Sequence, residues 1–223
     1  MHVDHLVLHA CCTPCTIKSY ERLATGRAAT RAGEPVSADH ITLLYYNPNI
    51  APVEEYEQRR AAWVAYCAQQ GIEAVELEYD PQAWEEVTAA DQQVPERCRQ
   101  CYALRLGRAA RWAAGRGADA LTTTLTISPY QLPDLIAEEG QRAVENLRHE
   151  PKGLRYLDID FSPDYRESQN AARAAGIYVQ NYCGCLPSKR EAQEQRAARK
   201  AARKKASVAP LFQPQKAGAP DAH

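Results

Sequence analysis

The 223-residue sequence has no apolar run of 18 or more residues, so it offers no segment that reads as a membrane span. It has neither a GxxxxGK nor a GxGxxG loop, which removes the common phosphate-cradling turns. Of the six histidines, His2, His5, His9, His40, His149 and His223, only His5 and His9 have HxxxH spacing, and they fall on an expected strand rather than a helix, so no helical histidine zinc site is indicated. The start, MHVDHLVLHACC, lacks the basic n-region and long apolar h-region of a secretory signal, and a cytoplasmic protein is expected. In that compartment glutathione keeps thiols reduced, which demotes a disulfide framework and favours metal binding. No internal repeat is visible.

Cysteine is what the chain has in excess. Seven of the eight cysteines fall in three short clusters: Cys11, Cys12 and Cys15 in HACCTPC, Cys98 and Cys101 in ERCRQCY, and Cys183 and Cys185 in YCGC. Clusters so tight and so far apart in sequence suggest that the fold gathers them at one point. Thiolates gathered in this way hold a soft metal or an iron–sulfur cluster. Seven exceed the four that one tetrahedral zinc or one [4Fe–4S] cluster requires, so a second metal or spare redox thiols are expected. Taken alone, Cys98 and Cys101 at a helix start suit a redox dithiol as well as a metal site. Gly184, between Cys183 and Cys185, permits close backbone approach to a bulky cofactor. Cys67 lies four residues after Trp63 on a predicted helix, the spacing of a core face. His9, two residues before Cys11, reads as a strand-end histidine close enough to touch the site.

Charge is divided along the chain. From Ser188 to His223 there are nine Lys or Arg against three Asp or Glu, leaving 18 basic and 25 acidic side chains in the preceding 187 residues. The body is therefore acidic and the tail basic. The tail core, KREAQEQRAARKAARKK, has good helix formers and almost no apolar face, so it is expected as a solvated helix or as disorder. It is either a solubilising tail or an electrostatic arm for an RNA backbone. The segment SVAPLFQPQKAGAPDAH reads as disordered.

Strand and helix signals alternate through the body. Strands are expected at 4–9, 41–45, 74–79, 119–125 and 155–159, with a last extended piece at 178–182. Helices are expected at 52–70, 81–90, 97–115, 132–149 and 165–175, and residues 26–39 read as an exposed connection. Helices of 10–20 residues between strands imply right-handed crossovers and a mostly parallel sheet. The expected class is α/β, a three-layer α/β/α domain over 1–187 followed by the basic tail, 188–223. In such sheets ligands sit at the carboxyl ends of the strands, where HACCTPC, TTTLTISPYQ, ERCRQCY and YCGC can meet. The slot after the first strand holds HACCTPC rather than the SGGxDS signature of ATP pyrophosphatases on a similar framework. That argues against ATP-dependent tRNA thiolation.

The set LHACCTPC, YYNPNIAPVEEYEQR, ERCRQCYALRL, TTTLTISPYQ, DIDFSPDYRESQ and YVQNYCGC resembles the QueH-type epoxyqueuosine reductases, from about Leu6 to Ser188. The resemblance implies a HUP-type α/β fold and a cobalamin-independent oxidoreductase of the last step of queuosine synthesis. Such an enzyme reduces the epoxide of epoxyqueuosine, at the wobble position of certain tRNAs, to queuosine. It also implies a [4Fe–4S] cluster with a second metal beside it, a mononuclear iron. By matching positions Cys12, Cys98, Cys101, Cys183 and Cys185 are the cofactor-binding candidates, and Cys11 and Cys15 complete the two-metal set on the catalytic side. Some relatives have an aspartate where this chain has Cys15, and Ala51 stands where relatives often carry a larger polar residue. Tyr130 is the expected proton donor, with Tyr102 or a water as alternatives. Tyr45, Tyr46, Tyr102, Tyr130 and Tyr182 lie next to the site loops, as a base-stacking surface or as edge-of-core residues, and Arg97, Arg99 and Arg105 flank the second cluster, either to meet phosphates or as solvated helix charges. The expected partners are tRNA carrying epoxyqueuosine and an electron-donor protein or low-potential reductant, with no membrane. The competing readings are a non-catalytic zinc-stapled RNA-binding module and a metal-free thiol oxidoreductase.

Overall fold

The computed structural model describes residues 1–147 and 153–208, and the side chains as far as residue 203. His149, His223 and most of the segment expected to be disordered lie outside the described residues. Five parallel strands carry the architecture. The central one, β1 (His2–Ala10), pairs in parallel with β3 (Pro35–Tyr45) on one side and β5 (Ala120–Thr123) on the other. β4 (Ala74–Glu76) extends the sheet beyond β3, and β6 (Arg155–Tyr156) extends it beyond β5. The carboxyl half of β1 is continuously buried because both of its faces are covered. Leu6 and Leu8 pack with Trp63 and Phe161 on one face, while Val7 packs with Leu106, Leu121 and Ile136 on the other. Helices α1 (Thr13–Ala24), α2 (Val53–Gln70) and α6 (Tyr165–Ala174) cover the first face. α4 (Glu96–Gly115) and α5 (Pro133–Glu145) cover the second, giving the expected three-layer α/β/α order. α3 (Pro81–Thr88) leans on α4 through Trp84, and its first turn is capped by the Asp80 carboxylate accepting from the Ala83 amide at 3.1 Å.

Several expectations need correction. Residues 26–39 are not merely a connection: β2 (Ala28–Ala29) pairs antiparallel with the start of β3, and Val36 is buried. The polar run SADH concealed this, because in the first half of β3 only Val36 is buried. No helix was expected over 13–24, yet α1 begins at Thr13 with Pro14 in its first turn, a helix-start signal masked by the cysteines around it. The fourth strand stops at Thr123, whose hydroxyl accepts from the Leu125 amide at 3.2 Å and opens a 3₁₀ turn over Thr124–Ile127. Residues 178–182 join no strand. The basic segment is helical: α7 (Leu186–Val208) starts one residue after Cys185. No described helix is long and apolar enough to cross a membrane.

Candidate metal centre

The carboxyl ends of β1, β3 and β5 meet above the sheet, and polar bonds hold their loops together. His9, at the end of β1, is wholly buried. Its Nε2 lies 3.1 Å from the Tyr46 carbonyl, which can only accept, so Nε2 carries the proton. Nδ1 therefore accepts from the Thr123 hydroxyl at 2.8 Å. Burial, reinforced by the Arg105 charge, lowers the imidazole pKa to about 3. Both ring nitrogens are occupied, so His9 ties three strands and is no metal ligand. Asn47 extends the tie: its amide donates to the Ala10 carbonyl at 3.0 Å, and its Oδ1 accepts from Arg105 at 2.5 Å.

Cys11, Cys12 and Cys15 form one group of thiols. Cys12 is the residue before α1 and Cys15 lies in its first turn, so a sharp strand-to-helix corner gathers all three. Their sulfurs lie within 4.8 Å of one another. The Thr124 hydroxyl donates to Cys11 Sγ at 3.2 Å and the Gln180 amide to Cys12 Sγ at 2.7 Å. Hydrogen bonds from the neighbouring thiols hold Cys11 well below the ordinary thiol range, with Thr124 and Arg105 adding to the effect. Burial pushes Cys12 up, and Cys15 is raised by the same neighbours. Of the three thiols, Cys11 is thus the one whose ionised form its surroundings favour.

Cys98, Cys101, Cys183 and Cys185 lie in the same region but more loosely: among the described residues no three of their sulfurs fall within the 4.8 Å that unites the first group. Cys98 and Cys101 occupy the first turns of α4, and Cys101 and Cys185 share an apolar pocket with Trp84. Burial pushes Cys98 up to about 12 and Cys185 to about 11, and the charge of Cys183 adds to both. The YCGC loop is fixed from α2. Arg59 donates to the carbonyls of Cys183 and Tyr182 at 2.9 and 3.3 Å, and the Ala51 amide donates to the Gly184 carbonyl at 3.0 Å. Ala51, given no role on sequence grounds, therefore acts through its backbone. Gly184 has φ +147°, and a Cβ there would come within 2.9 Å of Asn49 and 3.0 Å of Ile50. The glycine thus serves close backbone packing of the loop on the NPNI turn. Sequence reasoning expected the closeness but assigned it to a cofactor.

Between the groups opens a cavity of about 530 Å³, lined by Cys11, Cys15, Cys183, Arg105, Gln131 and Tyr130 among others. Arg105 was expected as a surface group, yet it is 1% exposed. Its guanidinium lies 4.0 Å from Cys101 Sγ, with no carboxylate within ion-pair distance among the described residues. Arg97 is buried as well and pairs with Glu191 of α7, while Arg99 pairs with Glu138 and Glu139 of α5. None of the three is a free arm for phosphate. Among the tyrosines, Tyr45, Tyr46 and Tyr102 are buried and Tyr182 lies beneath Arg59 at 4.9 Å. The Tyr102 hydroxyl donates to Gln131 Oε1 at 2.7 Å, and the Gln131 amide donates to Cys183 Sγ at 3.4 Å. Tyr102 is therefore spoken for, and Tyr130, 71% exposed on the cavity wall, is the available phenol. Tyr165 meets it edge-to-face at 6.4 Å. Gln131, Gln180, Arg59 and Tyr165 were not singled out from sequence, although each lies in or beside a quoted motif. Cys67 is buried on α2 in the core cluster that holds Trp63, as its spacing implied.

Known proteins carry the same framework. The family model described as epoxyqueuosine reductase QueH matches residues 6–191. An epoxyqueuosine reductase QueH from Dehalococcoides mccartyi is 31% identical over 187 residues, covering 83% of this chain and 93% of that protein. One from Acinetobacter baylyi is 30% identical over 200 residues, covering 85% and 83%. Among solved structures, the U34-tRNA thiolase NcsA from Methanococcus maripaludis with its [4Fe-4S] cluster shares the fold. Its TM-score is 0.52 at 13% identity, over 91% of this chain and 68% of that one.

Proposed function

The chain belongs to the QueH family of epoxyqueuosine reductases, and we propose that its thiol-lined cavity is where the epoxide is reduced. The observation that carries this reading is that Cys11 and Cys15 of the first cluster and Cys183 of the third line one cavity together with Arg105, a buried guanidinium without a carboxylate partner among the described residues. The donor set fits an iron–sulfur cofactor. It is made of sulfur alone, and none of the seven thiols is in a disulfide. Four of Cys12, Cys98, Cys101, Cys183 and Cys185 would hold a [4Fe–4S] cluster, and the fifth would join Cys11 and Cys15 at a single further iron. Cys12 lies by distance with Cys11 and Cys15, so centres built on the two sets would be neighbours.

The overall change breaks both C–O bonds of the epoxide, forms a C=C bond, and releases the oxygen as water, consuming two electrons and two protons. When bound, the cluster supplies electrons one at a time, and an adjacent iron polarises the leaving oxygen. The chain's own groups do the rest. Arg105 offers a fixed positive charge where negative charge develops, in a site with little water to screen it. Thr124, Gln131 and Gln180 donate to sulfur and hold the thiolate forms in place. Tyr130 is the proposed proton donor, with Tyr165 fixing its ring. The substrate is the modified nucleoside carried by a tRNA anticodon loop, where an unpaired base can be splayed into a cavity. The electrons come from a partner protein or a low-potential reductant, and the reaction takes place in the cytoplasm.

Metal analysis of protein purified without oxygen tests this reading. About four or five irons and about four acid-labile sulfides per chain are expected. One or two zincs without sulfide, persisting after cluster reconstitution, would overturn it in favour of a zinc-stapled module.

A further inference from the structure

The family match ends at residue 191, but α7 runs on to Val208 and helps to build the cavity. Ser188, Glu191, Gln195 and Arg199, spaced by three or four residues, lie on the stripe of α7 that lines it. The helix is tied down beside the thiols at three points. Glu191 pairs with Arg97, the Arg196 guanidinium donates to the Asn181 carbonyl at 2.8 Å, and the Lys189 ammonium lies 5.6 Å over the Tyr182 ring. Facing the same opening from α6 is Arg173. Neither Arg173, Arg196 nor Arg199 has a carboxylate within ion-pair distance among the described residues. By contrast Arg22, Arg31, Arg60 and Arg99 are all paired elsewhere on the surface.

The electrostatic setting gives these three arginines a task. The first 187 residues carry 25 acidic against 18 basic side chains, a body that repels RNA. A nucleoside entering the cavity as part of a strand brings a phosphate on each side, which must rest at the mouth. We propose that Arg173, Arg196 and Arg199 form the phosphate-binding rim that seats the substrate strand, so that α7 is a wall of the RNA site rather than a solubilising tail. This rests on the reading of the cavity as an epoxyqueuosine site. Arg199 and Arg173 supply the charge from opposite elements, and Arg196, fixed to Asn181, sets their register. The exposed turn beyond, with Lys200 and Arg203, lets the positive face track the strand outward.

Removing α7 would open the cavity itself, so the test uses charge reversals: Arg173→Glu and Arg199→Glu together, with Arg155→Glu at the amino end of β6 as control. Binding of an anticodon stem–loop carrying the epoxide is followed against salt concentration, and the iron chromophore is recorded for each protein. The double variant should keep the chromophore, bind at least ten-fold more weakly at low salt, and show a salt slope reduced by about two units, one per lost phosphate contact. The control should match the wild type. An unchanged slope and affinity in the double variant, with wild-type binding and turnover intact, would overturn the rim and leave the epoxide reading standing. Wild-type protein, fully loaded with iron, that neither binds nor reduces this stem–loop would overturn both.

Discussion

Arg97 and Glu191 form a two-pronged ion pair, 2.8 and 3.0 Å, between the start of α4 and the second turn of α7. Arg97 directly precedes Cys98, so the clasp that docks the basic helix also fixes one side of the thiol group. The Arg97 side chain is only 4% exposed and also donates to the Gln92 carbonyl at 2.7 Å. Such an ion pair resists loss of one partner, because the other is then left buried and uncompensated. Glu191→Gln keeps the shape but removes the charge and should loosen α7 by about 1–2 kcal/mol. Faster amide exchange in 186–196, and faster bleaching of the chromophore by an iron chelator, are the expected readouts. Unchanged exchange there would mean that α7 docks through other contacts.

Arg105 tests the electrostatics of the cavity more directly. A buried guanidinium without a carboxylate is costly in the metal-free protein. Its counter-charge must come from thiolates once they are ionised. Arg105→Gln should therefore leave the metal-free protein as stable or more so, and make the loaded protein lose iron several-fold faster. Thermal melts with and without reconstituted iron give the comparison. Equal destabilisation of both forms would show instead a packing role through Asn47.

The thiols carry their own pH signature. Burial pushes Cys67 and Cys98 up to about 12 and Cys185 to about 11, against an ordinary thiol value of 9.0. Raised values favour the neutral form in the folded metal-free chain. That advantage is complete below pH 9 and is lost as the unfolded chain ionises first, between pH 9 and about 12. The metal-free protein should thus lose stability steadily above pH 9, as denaturant midpoints will show. Loaded protein should behave in the opposite sense on acidification, because protons compete with metal for the thiolates. Cys67→Ala should reduce the alkaline loss without touching the chromophore. A flat profile above pH 9 would mean that these thiols ionise as freely folded as unfolded.

Much of this protein was legible in one dimension. Alternating apolar runs and helical stretches dictated a parallel α/β sheet, because local pattern and turn residues such as Gly71, with φ +64°, act within a few residues of chain. The three cysteine clusters announced sulfur chemistry, because seven thiols at such short spacings suit a metal or redox site rather than an apolar core. Tertiary structure alone decided which groups face one another. The polar start of β3 was hidden because its partners, such as His2 opposite Ser37, lie 35 residues away. The role of His9 was settled by Thr123 and Tyr46, contacts that no periodicity encodes. Arg97 and Arg105 read as surface charges on a helix, since amphipathic pattern cannot reveal that the α4 face bearing them turns inward against thiols and α7. Burial of a charge is a property of what the rest of the chain brings to it, and only the assembled fold determines that.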